Sequence, residues 1–398
     1  MSTTTANVMV VLGTRPEAIK LAPVINALRA ETRLQSTVVH TGQHRELAAD
    51  VLTAFGIEPD VRLDLLRQGQ SLPDLFARAV IEIAARLERQ RPAVVVVQGD
   101  TTTAAAAAIA AAQARIPVAH VEAGLRSGDR TAPFPEEDNR RLISVVTDIH
   151  LASTALAKAN LIAEGIKPET ITVTGNTGID ALEQILVRPH PIGAIAAEVR
   201  AHRAHRGPVA LVTTHRRESW GPAMANTARG VRQLLDRAAD LLVVLPMHPN
   251  PQVRADLRAV LGDHPRALLC EPLPYADMAH ALAASSIVLT DSGGLQEEAP
   301  HLGIPVLVLR DTTERPEGVL AGASHLIGTH PDLIVGLGLE VIYNPDVRAT
   351  MAQPRALYGD GHASRRTVAT IARLLGHDTG PVDEFTPAQI GEPLRSAS

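Results

Sequence analysis

The chain has 398 residues, 45% of them hydrophobic but only 2% aromatic, with a formal net charge of −5. That length exceeds what one core normally serves, so two domains of ~150–200 residues are expected. The scarcity of aromatics argues against a nucleobase-stacking platform, the acidic balance against general nucleic-acid binding, and the single cysteine, Cys270, against an internal disulfide or thiolate metal cluster. The opening "MSTTTANVMVVLG" has no basic segment before a long apolar one, and the longest apolar run, after Thr103, falls short of the ~18 residues a membrane span requires. A cytoplasmic protein with neither a membrane nor a nucleic-acid partner is expected.

Along the chain, short β-branched runs alternate with helix-period segments, the pattern of βαβ units and buried parallel sheets. Strands are predicted at "NVMVVLG", "STVVHTG", "AVVVVQG", "IPVAHV", "DIHLAS" and "TITVTG", then at "PVALVTT", "LLVVLP", "SSIVLT" and "IPVLVL". The first series starts at Asn7 and the second at Pro208, with the polar, turn-rich "VRPHPIGAIAAEVRAHRAHRGP" between them. The expected fold class is α/β, with two doubly wound, Rossmann-like domains facing across a cleft and ligands at the carboxyl ends of the strands. The boundaries are placed at 1–176 and 177–363, with a helix at 364–378 returning to the first domain and a loose tail over 379–398.

Nearly every unusual motif follows a strand end. In "GTRPEAIK", Gly13 closes the strand and Pro16 pre-sets the first helical turn, with Arg15 and Lys20 close behind. Two cations beside a helix N-terminus suit a phosphate, though a plain capped helix with solvated cations reads the same way. Asp100 of "GDTTT" and Glu122 of "HVEAG" follow successive strands. Singly, Asp100 reads as a helix N-cap, a role Thr101–Thr103 would fill equally, and Glu122 as a solvated loop acid. Together they are harder to dismiss, because adjacent parallel strands bring both to one rim. In "FPEEDNRR", Glu136 and Glu137 start a helix after Pro135, where the macrodipole alone would account for them. Carboxylates gathered at one rim are the usual material of acid–base catalysis.

In the second half, "VTTHRRESWG" puts His215 at a strand end beside Arg216 and Arg217. In "SSIVLTDSGGLQEEAPHLG", Ser292, Gly293 and Gly294 turn the chain from a strand into a helix whose first N–H groups can meet an anion, with Glu297 or Glu298 in reach of ribose hydroxyls. "RDTTERPEGV" adds Arg310 and Arg315. His120, His215 and His248 lack metal-ligand spacing, and no spaced-glycine dinucleotide fingerprint is present. Neither a metal nor a cofactor is expected. These loops describe a diphosphate side in the second domain and acids in the first, which suits a nucleotide-activated sugar.

With "GTRPEAIKLAP", "TGQHRE", "GDTTT", "HVEAGLR", "PEEDNR", "TGNTGIDAL", "THRRES", "DSGGLQEEAP", "RDTTERPE" and "YGDGHASRR" in one order, the chain resembles the non-hydrolysing UDP-N-acetylglucosamine 2-epimerases over nearly its whole length. The resemblance implies a B-type glycosyltransferase fold with uridine diphosphate held mainly by the second domain, and a homodimer. It implies removal of the C2 proton as UDP leaves C1, giving 2-acetamidoglucal, then readdition with protonation from the opposite face to yield UDP-N-acetylmannosamine. Asp100, Glu122 and Glu136 match the catalytic acids, and His215 the residue that helps the departing diphosphate. Arg15 and Lys20 match residues lining the site near it. Ser292, Gly293 and Gly294 match the phosphate turn, Glu298 the ribose contact, and Arg315 a further active-site cation. Met278 stands where the family has an aromatic residue near uracil. Gln43, His44 and His248 match positions of a regulatory site that binds the substrate itself. The alternatives are a hydrolysing relative that releases UDP and N-acetylmannosamine, an epimerase of a related UDP-2-acetamido sugar, a glycosyltransferase of the same fold, and a nucleotide-sugar-binding regulator.

Overall fold

A computed structural model describes residues 5–387 apart from 44, 68, 132, 215–219 and 354. It divides into two compact units, one running to Ile185 and resuming over Tyr358–Pro387, the other covering Leu186–Leu357.

In the first unit, β1 (Ala6–Leu12), β2 (Leu34–His40), β3 (Val61–Arg62), β4 (Val94–Gln98), β5 (Val118–Ala123), β6 (Ile149–Ala152) and β7 (Ile171–Val173) form one sheet in the order β3-β2-β1-β4-β5-β6-β7. Every pairing recorded in it is parallel. The crossovers are α1 (Arg15–Ala30), α2 (Arg45–Ala54), α3 (Leu72–Gln90), α4 (Thr102–Gln113), α5 (Glu136–Val146) and α6 (Ala155–Ala163), and α7 (Thr177–Val187) follows β7. The reversal of strand order lies between β1 and β4, where βα loops gather at the carboxyl ends. The core packs Met9, Val11, Val95 and Val97 against Ile83, Leu87 and the alanines of α4. Ala104–Ala108 are wholly buried. Alanine has the best helix propensity and the smallest side chain, so α4 forms readily and lies close to its neighbours.

The second unit opens with α8 (Ala194–His205). Its strands are β8 (Val209–Thr213), β9 (Leu242–Pro246), β10 (Ala267–Cys270), β11 (Ile287–Thr290), β12 (Val306–Val308) and β13 (Ser324–Leu326), ordered β10-β9-β8-β11-β12-β13 and parallel. Between and after them come α9 (Pro222–Arg237), α10 (Pro251–Leu261), α11 (Tyr275–Ala283), α12 (Gly293–His301), α13 (Pro316–Leu320), α14 (Pro331–Tyr343) and α15 (Pro345–Met351). Val212, Val243, Leu245, Leu289 and Leu307 meet Leu234 and Ile334 in a separate core. The expected class, two doubly wound α/β units, is borne out. Among the described residues no helix is long and apolar enough to cross a membrane.

Two boundaries need correction. The first unit extends through most of α7 instead of ending at 176, because Asp180 of α7 caps the returning helix α16 (Ala363–Leu374). Asp180 accepts from Ala363 N (3.1 Å), Ser364 N (2.7 Å) and Ser364 Oγ (2.6 Å). The expected loose tail is seated as far as Pro387. Phe385 is buried, its N–H donates to the Val173 carbonyl at 2.8 Å, and Glu384 accepts from Val173 N at 3.1 Å. The open edge of β7 leaves backbone groups that this segment satisfies.

Candidate active site

Gly13, between β1 and α1, is a glycine for want of room. A Cβ there would stand 2.1 Å from Thr41 Oγ1 and 2.8 Å from Thr103 Oγ1. Thr14 caps α1 in a capping box with Glu17. Arg15 is the first residue of α1 and half-buried; Lys20, one turn further on, is buried. The Lys20 ammonium donates to the Glu122 carboxylate, and both side chains are nearly enclosed. Asn176, just before α7, approaches the same carboxylate at 3.4 Å. Helix α1 and the loop after β7 therefore converge on the end of β5.

Glu122 is no solvated loop acid. It lies within β5 at a register irregularity between Val121 and Ala123. Its φ is 64°, in the left-handed region that L-residues with a side chain rarely adopt. Such strain, ~1–3 kcal/mol, persists where the surroundings over-determine it, and bulges commonly re-aim a side chain at a functional site.

Asp100 follows β4 but does not cap α4; Thr101 does, accepting from Ala104 N at 3.0 Å. Asp100 is left to take two bonds from Arg140 of α5, from Nε at 2.8 Å and Nη2 at 2.6 Å. Arg140 Nη1 also donates to Glu137 at 3.0 Å, and Asn139 holds the Asp100 carbonyl at 2.8 Å. The two acids of "PEED" thus part company. Glu137 is fully buried in this network, while Glu136, the expected catalytic acid, is half-buried at the first position of α5. His120 of β5 is enclosed, with Nε2 2.7 Å from the Gly99 carbonyl. Burial pushes its pKa down to about 3, so the ring is neutral and Nε2 donates to Gly99. Gln43 accepts from Thr103 Oγ1 at 2.8 Å. Arg140 and Glu17 are not among the residues that the motifs single out. The cation three residues after Glu137 was the available signal for Arg140; Glu17 reads as an ordinary first-turn acid.

In the second unit the turn after β11 leads into α12. Ser292 N donates to Thr290 Oγ1 at 2.8 Å, and Thr290 meets Thr213 of β8 at 2.6 Å. A Cβ on Gly293 would lie 2.4 Å from the Arg315 guanidinium carbon, so this glycine admits the cation. At Gly294 a Cβ would meet nothing nearer than Ser292 Oγ at 4.0 Å. Arg315 is buried and held by Glu297 (Nε, 2.7 Å) and Glu314 (Nη1, 2.7 Å); Arg310 also binds Glu314 at 2.7 Å. Of the two acids named for ribose, Glu297 is thus engaged with Arg315. Glu298 accepts from the Tyr275 hydroxyl at 3.4 Å. Met278 is half-buried on α11. His248 accepts from Asn250 N at 3.1 Å and stands 5.7 Å from the Trp220 ring. His215 and His44 lie outside the described residues. Among the described residues no group of His, Cys, Asp and Glu is arranged to hold a metal ion.

A family profile described as UDP-N-acetylglucosamine 2-epimerase matches residues 26–372. The UDP-N-acetylglucosamine 2-epimerase of Bacillus subtilis is 43% identical over 382 residues, covering 95% of this chain and 98% of that one. The structure of S. aureus MnaA with UDP has a TM-score of 0.89 at 41% identity, covering 96% of this chain and 100% of that chain. The Neisseria meningitidis UDP-GlcNAc 2-epimerase bound to UDP-GlcNAc has a TM-score of 0.85 at 40% identity, covering 92% of this chain and 100% of that chain. With the profile spanning most of the chain and these relatives aligned nearly end to end, the chain belongs to the UDP-N-acetylglucosamine 2-epimerase family.

Proposed function

We propose that this protein interconverts UDP-N-acetylglucosamine and UDP-N-acetylmannosamine by elimination and readdition, without hydrolysis, as a homodimer that needs no cofactor. The observation that carries the reading is the pair of acids at the ends of the adjacent strands β4 and β5, each held by its own cation: Asp100 by Arg140 and Glu122 by Lys20. Inversion at C2 requires a proton to leave one face of the sugar and another to arrive on the opposite face, so acids on separate loops suit the task. In the forward step a carboxylate among Asp100, Glu122 and Glu136 takes the C2 proton. The C–H electron pair becomes the C1–C2 double bond, and the C1–O pair leaves with UDP. In the return step a diphosphate oxygen of UDP adds to C1 while C2 gains a proton on its other face.

The diphosphate is assigned to Ser292, Gly293 and Gly294 at the start of α12, with Arg315 behind the turn, His215 assisting its departure and Glu298 on the ribose. Backbone N–H groups at a helix N-terminus and a guanidinium are favourable partners for an anion. Binding of UDP and UDP-GlcNAc by the S. aureus and N. meningitidis relatives supports a uridine nucleotide as the ligand.

The test is turnover of UDP-N-acetylglucosamine in deuterated water, with products followed by NMR. Deuterium at C2 of UDP-N-acetylmannosamine, arriving with the epimer and accompanied by a slow leak of UDP and 2-acetamidoglucal, is expected. Retention of the original C2 hydrogen in the epimer would overturn the elimination. Free N-acetylmannosamine in amounts equal to UDP would identify a hydrolysing enzyme instead.

A further inference from the structure

We propose that Glu17 is a positioning residue, a buried carboxylate that locks the start of α1, which carries Arg15, to the loop carrying Asp100. It is fully enclosed and touches no solvent, so it serves the site from behind. Its Oε2 accepts from Gly13 N (2.8 Å), Thr14 N (2.7 Å) and Thr14 Oγ1 (2.9 Å). Those bonds complete the capping box of α1. The other oxygen, Oε1, accepts from Thr101 Oγ1 at 2.5 Å, and Thr101 is the N-cap of α4.

An ordinary capping box satisfies one helix. The chain provides that comparison in α3, where Ser71 and Asp74 close an exposed box by bonding to each other across the first turn of the one helix. Glu17 does the same with a single oxygen and spends the second on another helix. A threonine hydroxyl has one proton. Donating it to Glu17 leaves the lone pairs of Thr101 for Ala104 N, so one carboxylate orders the N-termini of α1 and α4 together. These helices follow β1 and β4, which pair directly (Val10 with Val96) at the reversal of strand order. Arg15 comes directly after Thr14, and Asp100 directly before Thr101. Burial raises the Glu17 carboxyl above its ordinary value, and the contacts from Thr101, Gly13 and Thr14 oppose that. The ionised form accepts from all four donors, and in the neutral form an O–H on Oε1 would reverse the bond to Thr101, so the carboxyl joins the two helix starts in either state.

The role rests on the epimerase reading, and the experiment separates the two. Turnover of UDP-N-acetylglucosamine by the parent decides the reading. Three variants, Glu17→Gln, Thr101→Val and Thr101→Ser, decide the lock, read by kcat, by affinity for UDP and by amide hydrogen exchange of the 99–104 segment without substrate. A carboxamide puts an amino group where Oε1 stands, so Thr101 would have to accept instead of donate and a second buried N–H would have no acceptor among these contacts, and valine removes the hydroxyl at constant shape. Each is expected to lower kcat ~10–100-fold, the scale of a small misplacement of a reacting group. Affinity for UDP should stay near the parent's, and exchange in the 99–104 segment should quicken in Glu17→Gln although the substitution lies on α1. Thr101→Ser, which keeps the hydroxyl, should retain most of the turnover. Unchanged exchange at 99–104 in Glu17→Gln would overturn the lock even if the parent proved inactive on this substrate. So would equal losses in Thr101→Ser and Thr101→Val. If Glu17→Gln fails to fold, the contrast between the two Thr101 variants decides.

Discussion

Replacing Glu122 by glutamine separates chemistry from scaffolding, because the structure sets the two effects on different scales. The Lys20 and Glu122 side chains are 10% and 7% exposed. Deleting one partner of an ion pair buried this deeply costs ~3–5 kcal/mol. Glutamine keeps the shape and a carbonyl oxygen for the ammonium, so the loss shrinks toward the difference between a charge-assisted and a neutral hydrogen bond, ~1–2 kcal/mol. For a unit of this size that lowers Tm by ~2–8 °C. Loss of an acid–base group should instead reduce turnover ~10²–10⁴-fold, equivalent to ~3–5 kcal/mol of barrier. The assay is turnover of UDP-N-acetylglucosamine well below the variant's Tm, with UDP affinity by calorimetry and the fold checked by circular dichroism. Turnover within ~3-fold of the parent would refute acid–base work at Glu122, since even weak general catalysis contributes ~10²-fold. Equal losses in turnover and UDP affinity would show that the charge serves binding. Lys20→Met is the companion. Removing the cation favours the neutral carboxyl, so the acid limb of kcat/KM should move to higher pH; an unmoved limb would mean that another group sets it.

Arg315→Ala should weaken UDP affinity by at least ~10-fold, and Arg315→Lys should not restore it, because an ammonium cannot reproduce the guanidinium fork shared by Glu297 and Glu314; calorimetry with UDP alone checks this, and parental affinity in the alanine variant would remove Arg315 from the diphosphate side. Asp180→Ala should cost ~1–2 kcal/mol through the lost cap of α16 and admit protease near Tyr358 before turnover falls; an unchanged urea midpoint would contradict the capping account. His120 is neutral when folded, with its pKa near 3, whereas an unfolded histidine titrates near ~6.5. Below that pH the unfolded chain takes up a proton that the folded chain refuses. Stability should therefore fall as pH drops from ~6.5 toward ~3, with this group adding up to ~1.4 kcal/mol per pH unit. His120→Gln, which keeps a donor for Gly99, should flatten that slope in urea titrations at several pH values; parallel slopes would refute it.

The interior strands were legible because buried parallel strands read as continuous apolar runs, and each of the ten predicted runs is a strand. The strands missed are β3, β10 and β13, which stand at sheet edges and span Val61–Arg62, Ala267–Cys270 and Ser324–Leu326. Length does not set them apart, since β7 and β12 are as short; the missed strands are only partly buried, and Val61–Arg62 and Ser324–Leu326 contain no continuous apolar run. Asp100 and Glu122 were legible from topology, since the strand ends that carry them are neighbours. Their pairing with cations was not. Arg140 reaches Asp100 from forty residues away and Lys20 reaches Glu122 from 102 residues away, contacts that no local pattern encodes. The left-handed backbone of Glu122 was hidden for the same reason, because a glutamate gives no local cue to positive φ.

Three of the acids named for chemistry or ribose binding prove to be half of a pair: Glu122 with Lys20, Asp100 with Arg140, and Glu297 with Arg315. On the proposed reading, with a nucleotide diphosphate as ligand, this matters electrostatically. Uncompensated carboxylates would repel the ligand before any chemistry began, and burying them bare would drive them to take up protons at neutral pH. Pairing removes both problems. Arg315 shows the limit of the device. Held by two carboxylates, Glu297 and Glu314, it brings little net positive charge to α12, so on the proposed reading the attraction for phosphate falls to the N–H groups following Ser292. The guanidinium contributes direction more than field, which is why substitution by lysine, equal in charge but not in shape, is the sharper test of that residue.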